Sequence, residues 1–129
     1  HPEVAHTQKF LARLYVRLGR YDDADELYQL ARRTREATLG AEHPLTARLL
    51  ADISELQLKR GRFADATASN ARALELQEKV LGPRHTDLAN TLKTAALLLY
   101  SVGEYRAALE QQHRAIAIME SQFGKHHLK

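Results

Sequence analysis

The chain is predicted to be an all-α solenoid of three successive helix-turn-helix units. Three observations predict it: identical residues recur every 42 positions, Gly and Pro are scarce and regularly placed, and apolar residues follow helical spacing. His1, His43, His85 and His127 stand one period apart. So do Ala5, Ala47 and Ala89; Leu14, Leu56 and Leu98; and Gly19, Gly61 and Gly103. Ala24, Ala66 and Ala108 keep the step, as do Ala31, Ala73 and Ala115, then Glu36, Glu78 and Glu120, then Gly40, Gly82 and Gly124. No insertion breaks a phase, so the repeats run approximately 1–42, 43–84 and 85–126 within a single domain, 1–129.

Each unit reads as two helices, predicted over 2–18, 21–39, 44–60, 63–81, 86–102 and 105–123. Pro2 and Pro44 suit a first helical turn, where the missing N–H would be unpaired anyway. Val4, Leu11, Ala12, Tyr15 and Leu18 fall on one face of the first helix and are expected to point inward. Gly19, Gly61 and Gly103 close the first helices. In unit one the second helix opens with Asp22, Asp23, Asp25 and Glu26 and carries Arg32, Arg33 and Arg35 later, in accord with the helix dipole. Ala24 and Ala31 let a neighbouring helix approach closely. Ser69, Asn70, Gln111 and Gln112 interrupt this face in units two and three, so the hairpin of unit one is expected to be the best packed.

A period near 40 also suits HEAT-type arrays and propeller blades. A propeller needs alternating strands and Trp-Asp motifs, and this chain has no Trp. The internal motif separates the helical families. Gly19-Arg20-Tyr21-Asp22-Asp23-Ala24, Gly61-Arg62-Phe63-Ala64-Asp65-Ala66 and Gly103-Glu104-Tyr105-Arg106-Ala107-Ala108 resemble the core of the tetratricopeptide repeat. Leu11-Ala12 with Tyr15 resembles that family's first-helix pattern, which Ile53-Ser54 and Ala95-Ala96 follow more loosely. With Leu39-Gly40-Ala41-Glu42-His43-Pro44 between units, the long period is similar to the variety found in kinesin light chains and nephrocystin-like proteins. The resemblance implies a right-handed superhelix, a protein-protein interaction scaffold rather than an enzyme, and a concave face lined by the first helix of each repeat. Kinesin light chains carry paired Asn in those helices. Lys9-Phe10, Ala51-Asp52 and Lys93-Thr94 stand here instead, so that cargo recognition is not implied.

On this reading the concave wall presents His6, Lys9, Phe10, Arg13 and Arg17 from unit one. Unit two supplies Arg48, Asp52, Glu55 and Lys59, and unit three Asn90, Lys93, Leu97 and Tyr100. The wall is basic at one end, acidic at Asp52 and Glu55, and neutral at unit three. It suits an acidic peptide with a hydrophobic anchor, gripped by Arg at its carboxylates and met by Phe10, Leu97 and Tyr100. The alternative is a nucleic-acid-binding repeat using the stripe Lys9, Arg13, Arg17 and Arg48. Exposed aromatics for stacking are few, however, and acids interrupt the stripe.

Other chemistry lacks its residues. There is no Cys, which removes disulfides and thiolate sites. There is no phosphate loop, nucleophile elbow or zinc-type His-Glu-x-x-His. The boundary histidines lie one period apart and read as turn or capping residues, and the cluster from Asp22 to Glu26 lacks the spacing and central Gly of a calcium loop. No metal, no cofactor and no membrane span are expected, and the default location is cytoplasmic. Finally, Ile116, Ile118, Met119 and Phe123 stand where unit one has Arg32, Thr34, Arg35 and Leu39. A terminal repeat needs a polar outer face. The last helix is therefore expected to self-associate, and the array to be part of a longer one.

Overall fold

The computed structural model describes the backbone of residues 2–127 and the side chains of Val4 and residues 7–122. Six helices follow one another: α1 (Pro2–Arg17), α2 (Tyr21–Leu39), α3 (Pro44–Lys59), α4 (Phe63–Leu81), α5 (Asp87–Ser101) and α6 (Tyr105–His127). No strand occurs among the described residues. Helices pair as α1–α2, α3–α4 and α5–α6, and each pair packs on the next through α2–α3 and α4–α5. The observed starts and stops fall within one residue of the repeat register, apart from the end of α6. That helix runs through Gly124, where its counterparts Gly40 and Gly82 take φ of 94° and 91° and end α2 and α4.

His43 and His85 work as caps. The Nδ1 atoms of His43 and His85 accept from the backbone N–H of Leu45 and Asp87, both at 3.1 Å, satisfying donors that a helix start leaves open. Thr46 Oγ1 then ties the start of α3 back to the carbonyl of Gly40 at 2.9 Å.

Three clusters form the core. The largest joins units one and two: Ala12, Ala24, Tyr28, Ala31, Leu49, Ile53 and Leu56, flanked by Tyr15, Val16, Tyr21 and Leu27. The second lies inside hairpin two (Ala47, Leu50, Ala73, Leu76), and the third inside hairpin three (Leu88, Ala89, Leu92, Ala115, Ile118). Two expectations need correction here. The first concerns hairpin one, whose described buried residues Ala12, Ala24, Tyr28 and Ala31 share their cluster with α3, while Gln8 and Thr34 occupy the register of Leu50 and Leu76. Gln8 Oε1 is buried and finds no hydrogen-bond partner. Secondly, Val4, Leu11 and Leu18 do not point inward; they are 50, 39 and 71 % exposed. Only Ala12 of that stripe is fully buried. A solenoid helix has apolar neighbours on two sides, its hairpin partner and the adjacent repeat, and periodicity alone does not tell the two apart.

Candidate functional site

α1, α3 and α5 lie side by side and form the wall of an open groove of about 620 Å³. Ten of the thirteen residues predicted for it line it: Lys9, Arg13, Arg17, Arg48, Asp52, Glu55, Lys59, Asn90, Lys93 and Leu97. Phe10 and Tyr100 are exposed but do not line it, and His6 lies outside the described side chains. Tyr100 instead packs its ring against Tyr105, centroids 5.4 Å apart. The floor holds residues that the surface stripes did not indicate, chiefly Tyr28 and Gln77, which reach through from the second helices, and Thr91. A polar residue in an apolar helical phase was the available signal for Gln77.

Six cations and three carboxylates line the groove, an excess equal to the net charge of +3 carried by the whole chain. Several of these charges are already engaged. Lys9 Nζ sits 3.1 Å from Asp52 Oδ2, bridging α1 and α3. Arg48 Nη2 donates to both oxygens of Asp87, at 3.0 and 2.9 Å, bridging α3 and α5. Asp52 is thus paired, and Lys9 and Arg48 each bridge neighbouring repeats. Burial pushes the Lys9 ammonium below its ordinary value, and the adjacent Asp52 carboxylate opposes that shift. Tyr28 is pushed up, first by burial and then by the negative charge of Asp52. Arg35 is also buried, which lowers its value; its Nη1 donates to the carbonyl of Leu45 at 3.0 Å. Among the described residues Arg13, Arg17, Lys59 and Lys93 make no ion pair, and they supply the groove's available positive charge.

No three His, Asp or Glu side chains converge as metal ligands among the described residues. His43 and His85 are engaged in capping, while His1, His126 and His127 lie outside the described side chains. No helix is long and apolar enough to cross a membrane among the described residues.

The end predicted to self-associate divides. Ile116 and Met119 are 46 and 37 % exposed, as expected, whereas Ile118 is 4 % exposed and belongs to the core of hairpin three. Its register partner in unit two is Leu76, also buried; the comparison with Thr34 of unit one misplaced it. The side chain of Phe123 lies outside the described residues.

The tetratricopeptide repeat profile matches residues 3–79 and 59–121. The chain belongs to the tetratricopeptide-repeat family. No curated protein matches it. Among solved structures, this tetratricopeptide array is similar to BtubC (BKLC) from P. vanneervenii, with a TM-score of 0.83 and 25 % identity over 94 % of this chain and 48 % of that one. It is also similar to a kinesin light chain with nearly identical TPR-like repeats from Podosopora anserina, described there as putative: TM-score 0.83, 23 % identity, 95 % of this chain and 58 % of that one. The chain therefore spans about half the length of these structures. The tetratricopeptide fold is that of a right-handed superhelical solenoid, and its general role is as a protein-protein interaction scaffold rather than an enzyme.

Proposed function

We propose that the chain holds an acidic peptide segment of another protein in the groove lined by α1, α3 and α5. The observation that carries this reading is the set of four cations, Arg13, Arg17, Lys59 and Lys93, left without carboxylate partners among the described residues around a continuous groove. Arg13 and Arg17 offer forked donors to carboxylates. Leu97, 55 % exposed on the same wall, offers the apolar contact for an anchor residue. The exposure of Ile116 and Met119 likewise supports self-association through α6.

Peptide-array binding followed by titration of the best peptide tests the groove. Arg13→Glu, Arg17→Glu and Lys59→Glu together weaken binding at least tenfold, about 1.4 kcal/mol, while the helical content stays unchanged. Lys9 and Arg48 are left intact, because their ion pairs join repeats. Unchanged affinity in the folded triple variant refutes the groove. Binding to single-stranded RNA that survives physiological salt and is lost in the same variant favours the nucleic-acid reading.

A further inference from the structure

We infer that the segment held in the groove carries a single basic side chain among its acidic residues, paired with Glu55 above the floor residue Tyr28. This rests on the groove reading above and names a further feature of the bound segment.

Three carboxylates line the groove, those of Asp52, Glu55 and Asp87. Asp52 is engaged by Lys9, and Asp87 by Arg48. Glu55 is exposed and makes no ion pair among the described residues. A purely acidic segment would set like charge against it, which costs binding. One basic side chain in the segment turns that cost into an ion pair. The repeat register gives the order of contacts. Arg13 of α1, Glu55 of α3 and Leu97 of α5 stand one period apart, and all three line the groove. Across the wall they offer a cation, an anion and an apolar side chain in turn. The segment that crosses it therefore presents an acid, a base and an apolar residue in the same order.

The floor beneath points the same way. Tyr28 lines the groove, is 3 % exposed, and sits inside the array where units one and two join. Its hydroxyl has no hydrogen-bond partner among the described residues. Yet it is not sealed off, because the side-chain atoms buried without a partner belong to Gln8, Asp52 and Gln57. An unpaired polar group thus opens into the groove from an otherwise buried ring. Burial first, then the negative charge of Asp52, keeps this hydroxyl protonated; Arg13 opposes that shift and Glu55 adds to it. Arg13 and Glu55 therefore lie near enough to the phenol to act on it. A neutral phenol oxygen accepts a hydrogen bond from an ammonium or guanidinium group, and the Glu55 carboxylate accepts from the same cation.

Fluorescence anisotropy with synthetic acidic peptides tests this. The probes share their acidic residues and a terminal Leu, and differ at one central position, which is Lys, Met or Glu. The Lys peptide binds the unaltered chain about fivefold more tightly than the Met peptide, and the same Lys moved to the end of the peptide gives no gain. Glu55→Gln removes the advantage of Lys without changing helical content. Glu55→Lys reverses the preference, so that this variant takes the Glu peptide over the Lys peptide. Tyr28→Phe, which keeps the ring, lowers the advantage of Lys by about twofold. Each readout is a ratio between peptides, so a general change in groove charge cancels. If the Lys and Met peptides bind alike while Arg13→Glu with Arg17→Glu still abolishes binding, the basic subsite is overturned and the acidic-segment reading stands. A Lys advantage that persists in both Glu55 variants overturns Glu55 as its partner. If the unaltered chain binds none of the probes, both readings fall.

Discussion

At the joint between units one and two, Tyr28 is buried against Ala12, Leu49 and Ile53. One period later Asn70 stands in its place, and Ser54, Thr91 and Ala95 take the register of Ala12, Leu49 and Ile53. Asn70 Nδ2 donates to the carbonyl of Thr91 at 3.0 Å and to Ser54 Oγ at 3.4 Å, and Thr91 Oγ1 donates to Gln77 Oε1 at 2.6 Å. The helices of both joints keep one register, yet the space around Tyr28 is filled by apolar packing and the space around Asn70 by hydrogen bonds. The alanines of the repeat motif, Ala24 and Ala31 with Ala66 and Ala73, are fully buried in both units. The larger positions fill the space by whichever chemistry is internally consistent. The polar joint is the more exacting, since each partner removed strands another: Gln57, in the register of Tyr15, already keeps a buried Oε1 without a partner.

The largest expected effect is at the apolar joint. Tyr28→Ala empties a fully packed aromatic site and costs about 3–5 kcal/mol in urea unfolding; a loss under about 1 kcal/mol would mean that the first joint does not rest on this ring. Asn70→Ala is next, costing about 1–3 kcal/mol through the two hydrogen bonds lost to the Thr91 carbonyl and the Ser54 hydroxyl. Hydrogen exchange should show unit three opening first in that variant, because it packs on the array only through this joint. Uniform loss of protection across all six helices would instead make the array one cooperative unit. The smallest effect is on pH dependence. A tyrosine in an unfolded chain ionises near pH 10, and Tyr28 is held above that. Above about pH 10 the unfolded chain binds fewer protons than the folded one, so stability falls as pH rises. Tyr28→Phe should flatten this slope, and Asn70 offers no equivalent. An identical slope in the Phe variant would assign it to other groups.

The fold could be read from the sequence because eight phases of one period fix the helix boundaries, and the His-capped turns make the period visible. The groove was partly legible: stripes of charge identify its wall, but they do not show that Lys9 and Arg48 are engaged by Asp52 and Asp87. Those pairs cross between repeats at separations of 43 and 39, close to the period, so they can be found only by reading adjacent helices against each other. Ile118 teaches the same lesson. Compared with polar Thr34 it looked exposed, and compared with Leu76 it is core. Unit one is the atypical template, since Gln8 and Thr34 stand where unit two has Leu50 and Leu76.

Tyr28, Leu56, Gln77 and Thr91 have two memberships: they touch the open groove and they sit at the joints. In mechanical terms the groove floor is made of hinge material. Each joint acts as a coil of a short spring, the first stiffened by close-packed rings and the second by directional bonds. Whatever presses on the floor bears on the angle between coils, and superhelical pitch becomes a quantity that a bound segment can stretch or tighten.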